Sequence, residues 1–200
     1  MTAAAAMPTV LIVPGLRDHV DAHWQTLLAL DLEAQRRKVK TVPPMGRADL
    51  SCTARVAAIE RAAQAIRGPI VVVAHSGGCV MLAHWARQTR RPVQGALLAT
   101  PPDFERPMPE GYPTLDALAA AGWLPVPREP LPFPSVVAAS RDDPLGSYER
   151  IVGLAGDWGS RLVDLGLVGH LNPASGYGRW GRAEQFIDEI SAGAAAAQRA

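Results

Sequence analysis

The stretch that decides the fold is Pro69 to Met81, which is Pro-Ile-Val-Val-Val-Ala-His-Ser-Gly-Gly-Cys-Val-Met. Its mostly β-branched run Ile70–Val73 is typical of a strand buried on both faces. The apolar residues from Val80 onward are typical of a helix. Only a very short turn separates the two elements, so the chain must reverse sharply between them.

That turn, Ala74-His75-Ser76-Gly77-Gly78, matches the nucleophile-elbow pattern G-x-S-x-G with Ala in place of the first Gly. In such an elbow small flanking residues let the backbones approach, and the serine hydroxyl is exposed at the apex. The next backbone N–H, here that of Gly77, points to where an oxyanion would form. Alternatively, Ser76 and Gly77 only cap an ordinary helix. The types and lengths of the flanking elements favour the elbow.

Length, charge and cysteine content restrict the class of protein. The 200 residues carry a net charge of +1, which suits one domain and leaves no electrostatic footprint for nucleic acid or an anionic membrane. We expect residues 9–192 to form that domain, between a flexible extension (1–8) and an Ala-rich tail (193–200). Cys52 and Cys79 lack the spacing of a disulfide framework or metal site, which predicts a reduced, cytoplasmic chain.

Strand-like and helix-like segments alternate along the chain, which predicts a parallel sheet with helices on both faces. The predicted strands are Thr9–Val13, Val39–Val42, Ile70–Val73, Val93–Ala99, Ser135–Ala139 and Arg161–Leu165. The predicted helices begin near Asp21, at about Leu50, after the elbow, at about Ser147 and at Trp180, the last ending at Ala192.

The segment Thr100–Pro134 interrupts this alternation, because it is dense in proline and has only a short helical piece around Leu115 to Ala121. Long irregular connections inside a domain are usually functional or disordered. Two interpretations are open: an ordered rim or small lid beside the strand ends, or a surface crossover with no role toward substrate.

A serine nucleophile needs a base within hydrogen-bond reach and an acid that orients the base. Downstream of Ser76, His84 lies in the helix behind the elbow and faces away from its apex. His170 follows the last predicted strand in a loop beside Gly169, so we expect it to be the base rather than a surface loop residue. His75 adjoins Ser76 in the turn, where neighbouring side chains diverge, and is predicted to bond to a neighbouring loop.

The acid must come between Ser76 and His170 if the order is Ser, Asp or Glu, then His. Asp142 and Asp143 both follow the fifth predicted strand. Asp143 precedes Pro144, which favours an extended conformation suited to reaching a neighbouring loop. Asp143 is therefore the preferred acid, with Asp142 capping or pairing with Arg141, and Asp164 a distant alternative.

The oxyanion and pocket residues are expected near the end of the first strand, which should neighbour the elbow strand. The backbone N–H of Leu16, after Pro14-Gly15, is the predicted second oxyanion donor, although its side chain could simply fill apolar space. His23 and Trp24 are candidate pocket residues, with packing of the loop onto the helix the favoured interpretation. Asn172 is a further pocket candidate.

Four blocks of sequence together resemble the small α/β-hydrolases related to retinoblastoma-binding protein 9, and they span essentially the whole domain. The blocks are Val13-Pro14-Gly15 with His23-Trp24, His75-Ser76-Gly77-Gly78, Ser140-Arg141-Asp142-Asp143-Pro144, and Gly169-His170-Leu171-Asn172 with Ser175-Gly176-Tyr177-Gly178. The resemblance implies a reduced, three-layer α/β-hydrolase fold with six parallel strands ordered 2-1-3-4-5-6 and little or no cap. It also implies a Ser76, Asp143 and His170 triad and metal-free ester hydrolysis in the cytoplasm.

These observations predict a serine hydrolase that cleaves small acyl esters or related carboxylic derivatives, without a cofactor. Its expected partner is a small acyl substrate, not nucleic acid or a membrane, and it could be a monomer or a homodimer. We expect short acyl chains to be preferred, because Thr100–Pro134 is small for a deep lipid tunnel. The alternatives are a non-catalytic protein-binding module on this scaffold and a flavodoxin-like nucleotide binder, which the absence of a Gly-rich phosphate loop disfavours.

Overall fold

A computed structural model describes residues 7–17, 19–46 and 48–197. Residues 1–6 of the predicted flexible extension and residues 198–200 of the predicted tail lie outside the described residues. Within the described part of the chain, no helix is both long and apolar enough to cross a lipid bilayer.

The core is one parallel sheet of six strands in the order β2-β1-β3-β4-β5-β6, which confirms the predicted order. Its strands are β1 (Thr9–Val13), β2 (Val39–Thr41), β3 (Ile70–His75), β4 (Gly95–Ala99), β5 (Ser135–Ala139) and β6 (Arg161–Asp164). Every residue of the four central strands is buried, whereas β2 and β6 at the edges are partly exposed. This burial accounts for the continuous apolar runs in the sequence.

Helices cover both faces of the sheet. They are α1 (Trp24–Ala34), α2 (Cys52–Gln64), α3 (Gly77–Ala86), α4 (Leu115–Ala120), α5 (Tyr148–Asp157) and α6 (Arg182–Ala197). Residues of α1 and α6 pack into one apolar core, and residues of α2, α3 and α5 pack into a second core on the opposite face. We refer to these as the α1–α6 face and the α2–α3–α5 face.

The bounds of helices α1 and α6 differ from the prediction. Helix α1 begins at Trp24 rather than near Asp21, because the ring nitrogen Nδ1 of His23 accepts the N–H of Gln25 and caps the helix at that point. Helix α6 continues to Ala197, five residues past the expected end at Ala192, because the alanines of the predicted tail favour helix.

The Pro-rich segment 100–134 is anchored to the rest of the domain at several points. The indole of Trp123 donates a 2.7 Å hydrogen bond to the carbonyl of Leu50, and the N–H of Asp103 donates to the carbonyl of Leu145. The guanidinium of Arg128 bridges Glu105 and Asp157. The segment is therefore an ordered wall beside the strand ends. Hydrogen bonds and ion pairs to neighbouring helices and loops hold it in place.

Candidate active site

Ser76 occupies a strained turn between β3 and α3. Its backbone has φ 54° and ψ −133°, a region that residues with a side chain rarely adopt. The turn is tight because α3 lies against the end of β1: a Cβ on Gly78 would lie 2.6 Å from the carbonyl oxygen of Val13. The sequence prediction of small residues around an exposed serine therefore matches the local geometry.

The side chains of Ser76, His170 and Asp143 converge at the carboxyl ends of the strands. His170 Nε2 lies 2.8 Å from Ser76 Oγ, and His170 Nδ1 lies 2.8 Å from Asp143 Oδ2 and 3.0 Å from Oδ1. The side chains of His170 and Asp143 are 5% and 3% exposed. This arrangement can transfer a proton from the hydroxyl to the imidazole while the carboxylate fixes the ring tautomer.

The loop that carries His170 is held by its own hydrogen bonds. Gly169 and Leu171 on either side have φ values of 55° and 47°. The N–H of His170 donates a 3.0 Å bond to Ser175 Oγ, and that hydroxyl donates to Asn172 Oδ1. Because Asn172 also caps the short 3₁₀ turn Pro173–Ser175, the loop around the imidazole is held by two polar side chains, those of Ser175 and Asn172.

Asp142 and Asp164, the alternative acids, point away from the imidazole. Asp142 Oδ1 accepts hydrogen bonds from Gly169 N–H at 2.7 Å and from Ser140 Oγ at 2.8 Å. Arg141 pairs with Asp164 rather than with Asp142, so the suggested pairing of Asp142 with Arg141 is wrong. Asp142 instead fastens the loop in front of His170 to the end of β5.

Three imidazoles, which we call the imidazole cluster, pack behind Ser76 in tilted and edge-to-face contacts. The ring of His75 lies 5.0 Å from that of His170 and 4.7 Å from that of His23, and His75 Nε2 lies 3.0 Å from the carbonyl oxygen of His170. Burial, with the neighbouring imidazoles of His170 and His23, holds the pKa of His75 well below its usual value. Burial and the charge on His170 lower the pKa of His23 to about 4. Both supporting rings are neutral at pH 7, so a proton taken up by His170 meets no cationic ring beside it.

Trp24 does not belong to the pocket. Its side chain is completely buried, with its ring 5.8 Å from that of His75 and 4.9 Å from that of Trp180. The pocket assignment of Trp24 is therefore wrong, and the favoured interpretation, packing of the loop onto the helix, agrees with its burial: as the first residue of α1, Trp24 points into the core below the imidazole cluster. His23 and Asn172 do border the cavity described below.

The backbone around Gly77 and Leu16 leaves two N–H groups available. Within the described part of the chain, neither N–H donates to a protein acceptor. The Leu16 side chain lies over Gly77, since a Cβ on that glycine would be 2.9 Å from Leu16 Cγ. Gly15 is equally close to the serine, because a Cβ there would lie 3.4 Å from Ser76 Oγ. These contacts bring the turn that contains Gly15 and Leu16 against the elbow that carries Ser76 and Gly77.

A cavity of about 790 Å³ opens onto Ser76 and His170, within the size range of small-molecule sites. Phe104, Met108 and Tyr112 from the Pro-rich segment contribute to its wall. Tyr112 also accepts a 2.7 Å hydrogen bond from Arg17 in the loop after β1. Of the two interpretations of this segment, the structure therefore favours a rim beside the strand ends.

The remaining histidine and cysteine candidates lie elsewhere. His84 Nε2 is 3.1 Å from the carbonyl oxygen of Trp123, on the far side of α3 as predicted. Cys52 and Cys79 are both free and buried, and burial raises the pKa of Cys79 well above its usual value. Among the residues described by the structure, no cluster of His, Cys, Asp or Glu could hold a metal ion.

Sequence reasoning assigned no role to two residues that hold the site together. Gln25 is buried, and its amide donates 3.1 Å bonds to the carbonyls of Val13 and Val73 near the ends of β1 and β3. Ser175 supports the His170 loop, as described above. Ser175 belongs to one of the four sequence blocks that carry the family resemblance, and this block could have indicated its role. Gln25 lies in none of these blocks.

Most of the chain matches the model of one protein family. The family model described as serine hydrolase matches residues 10–189. The chain belongs to the serine hydrolase family. Among curated proteins, none matches this serine hydrolase significantly.

Solved structures similar to this serine hydrolase share its α/β-hydrolase fold. A YdeN-like hydrolase from Pectobacterium atrosepticum is 26% identical with a TM-score of 0.76, covering 94% of this chain and 92% of that chain. The ydeN gene product from B. subtilis is 15% identical with a TM-score of 0.72, covering 92% of this chain and 98% of that chain. Est1E from Butyrivibrio proteoclasticus, solved with ferulic acid bound, is 14% identical with a TM-score of 0.65, covering 92% and 86%.

Proposed function

We propose that this serine hydrolase cleaves small acyl esters or related carboxylic derivatives through a Ser76–His170–Asp143 triad. The observation that carries the proposal is the 2.8 Å separation between His170 Nε2 and Ser76 Oγ, with Asp143 at the other ring nitrogen. An unactivated serine hydroxyl is a poor nucleophile, and an adjacent oriented imidazole is the usual remedy.

In the proposed reaction Ser76 Oγ attacks the substrate carbonyl carbon and His170 Nε2 takes the hydroxyl proton. The backbone N–H groups of Leu16 and Gly77 bind the oxyanion that forms on the carbonyl oxygen. His170 then returns the proton to the leaving alcohol, which departs and leaves an acyl-enzyme on Ser76. Water, deprotonated by the same imidazole, attacks this ester and releases the acid and the free serine.

We further propose that the chain belongs to the branch of small hydrolases related to retinoblastoma-binding protein 9. The four sequence blocks that carry this resemblance surround the site, and they contribute Ser76, Asp143 and His170. No cofactor enters the proposed reaction, and its partner is a small acyl substrate. The free, buried thiols of Cys52 and Cys79 agree with a cytoplasmic location.

Labelling with a fluorophosphonate probe tests the proposed nucleophile. The folded wild-type protein should become labelled and lose esterase activity toward p-nitrophenyl butyrate, whereas Ser76→Ala should show neither labelling nor activity. Ser191→Ala is the matched control, because the Ser191 hydroxyl only bonds to a carbonyl within α6; this variant should label like the wild type.

Absence of labelling in the folded wild-type protein would contradict the proposal and favour a non-catalytic binding module on the same scaffold. Labelling that persists in Ser76→Ala would place the nucleophile elsewhere. A circular dichroism spectrum of each variant establishes that it is folded under the labelling conditions.

A further inference from the structure

The cavity that opens onto Ser76 is bordered by two groups of apolar residues with different surroundings, and we divide it accordingly into two arms. We define the inner arm by Leu16, Leu50, Phe104 and Met108, which border the cavity and pack against the core of the α2–α3–α5 face. The inner arm is therefore backed by the protein interior: Phe104 at its wall is 1% exposed.

We define the outer arm by Val20, Ala29 and Leu30, which border the same cavity but lie on or beside α1. Val20 and Leu30 are 41% and 55% exposed, so this arm is apolar yet open to solvent. The carbonyl of Val20 accepts a hydrogen bond from the N–H of His23, which fixes the outer arm next to the imidazole cluster. Partly exposed apolar side chains continuous with a reactive centre are a natural binding surface for part of a ligand.

The position of each arm relative to Ser76 follows from contacts at the elbow. The inner arm begins at Gly77, because a Cβ on that glycine would lie 2.9 Å from Leu16 Cγ and 3.4 Å from Phe104 Cζ. The outer arm begins at the imidazole cluster formed by His170, His75 and His23. The serine hydroxyl therefore stands at the boundary between the two arms.

The chemistry of the tetrahedral intermediate then assigns a half of the substrate to each arm. In the proposed reaction His170 Nε2 must reach the leaving oxygen, which puts the alcohol on the imidazole side, toward the outer arm. The N–H groups of Leu16 and Gly77 hold the oxyanion. The acyl chain takes the remaining direction, away from His170 and along Gly77 into the inner arm.

We propose that the inner arm is the acyl pocket and the outer arm the alcohol site, so that the substrate is an ester whose acyl group is apolar and limited in length. This inference rests on the proposed function. Because the inner arm is backed by the core, it sets an upper limit on acyl length, which would give the expected preference for short chains. The open outer arm accepts alcohols of varied size through contact with Val20 and Leu30.

Two variants that fill one arm each test this assignment. Met108→Trp narrows the inner arm and Leu30→Trp narrows the outer arm, and both side chains are remote from the proposed triad in sequence. The probes are p-nitrophenyl acetate, butyrate and hexanoate for the acyl group, and methyl, hexyl and 2-naphthyl butyrate for the alcohol.

Met108→Trp should lower kcat/KM for the hexanoate relative to the acetate by about tenfold, a value typical of changes in an apolar pocket, and leave the alcohol series unchanged. Leu30→Trp should change the ranking of the alcohol series by a similar factor and leave the acyl series unchanged. The enlarging variants Met108→Ala and Leu30→Ala provide a second pair, in which Met108→Ala should raise relative activity on the hexanoate.

Three outcomes would overturn the assignment. The Met108 variants could alter the alcohol series and the Leu30 variants the acyl series, one variant could alter both series, or neither pair of variants could alter either series. The fluorophosphonate result separates this failure from failure of the proposed function. A wild-type protein that labels at Ser76 but gives any of these responses retains the proposed function and loses the two-arm assignment. Thermal melting of each variant shows that it is folded before the ratios are compared.

Discussion

His75 Nε2 lies 3.0 Å from the backbone carbonyl oxygen of His170, so the residue before Ser76 is bonded to the residue that approaches the Ser76 hydroxyl. The carbonyl can only accept a hydrogen bond, and His75 Nε2 must therefore carry the proton. This contact ties the end of β3 to the loop after β6. The imidazole of His75 is buried and its pKa is strongly lowered. Keeping this ring neutral at acidic pH therefore reduces the free energy of unfolding.

The lowered pKa values of His75 and His23 predict that stability falls on acidification. His75 and His23 stay neutral in the folded protein while their unfolded forms take up protons below about pH 6.5. The unfolded state then binds more protons, so the free energy of unfolding falls as the pH decreases from about 6.5 toward 4. The expected slope is about 1.4 kcal/mol per pH unit for each such histidine.

Urea unfolding at several pH values between 7 and 5 measures this slope, using the fluorescence of the buried tryptophans. His75→Gln keeps an amide donor for the carbonyl of His170 but cannot titrate, so its slope should be shallower by about 1.4 kcal/mol per pH unit. A slope equal to that of the wild type would show that His75 does not control the acid sensitivity.

Neutralising each aspartate of the Asp142-Asp143 pair should have unequal effects on activity. Asp143→Asn removes the carboxylate at His170 Nδ1 and should lower kcat by about 10³–10⁴-fold, since the imidazole loses its tautomer control. Asp142→Asn keeps an oxygen that can accept the bonds from Gly169 and Ser140, so kcat should fall by less than about tenfold. Steady-state kinetics on p-nitrophenyl butyrate compare the two, and equal losses would argue against Asp143 as the acid.

A methyl group added at Gly78 should destabilise the elbow. A Cβ there would lie 2.6 Å and 2.7 Å from the carbonyl oxygens of Val13 and Pro14, which are backbone atoms and cannot rotate away. Gly78→Ala should therefore lower the free energy of unfolding by about 1–3 kcal/mol. Urea unfolding at pH 7 measures the change.

Gly153→Ala is the matched control for that change. Gly153 lies in α5 with open space around its Cβ position, so alanine should raise the free energy of unfolding by about 0.5–1 kcal/mol through helix propensity. If Gly78→Ala were as stable as the wild type, the close approach of α3 to the end of β1 would be incorrect.

The ion pair between Asp103 and Arg150 should hold the Pro-rich wall onto α5. The Asp103 side chain is only 8% exposed and its Oδ2 lies 2.7 Å from Arg150 Nε, so Asp103→Asn should cost about 1–3 kcal/mol of unfolding free energy. The pair of Arg161 with Glu189 has both side chains more than half exposed, and Glu189→Gln should cost less than about 1 kcal/mol. Similar losses in the two variants would contradict this difference in burial.

The strands were predictable because burial on both faces leaves a simple apolar pattern, whereas their order was implied by the resemblance to the small α/β-hydrolases. Strands β1 and β5 have the predicted bounds, Thr9–Val13 and Ser135–Ala139. Parallel strands bring their carboxyl ends to one edge of the sheet, and for this reason the sequence predicts that Ser76, Asp143 and His170 lie close together. The bias that Pro144 imposes on Asp143 distinguished it from Asp142.

Contacts between loops were not predictable, since they depend on packing that no local pattern records. His23 had no sequence signal as a helix cap, and the start of α1 was consequently placed too early. Trp24 was a pocket candidate for which core packing was the favoured interpretation, and local sequence could not separate it from His23, which does border the cavity. The wall formed by Phe104, Met108 and Tyr112 lies in a proline-dense segment without a hydrophobic period.

The Pro-rich wall between β4 and β5 has a consequence for how such a protein diversifies. The groups proposed to act on the substrate follow strand ends, whereas part of the cavity wall, including Phe104, Met108 and Tyr112, comes from one contiguous segment, residues 101–134. Changes in its length or side chains would alter what enters the cavity without moving Ser76, Asp143 or His170. The same scaffold could thus acquire new substrate selectivity through exchange of this single segment. Residues 101–134 are therefore the natural target for mutagenesis aimed at a different substrate range.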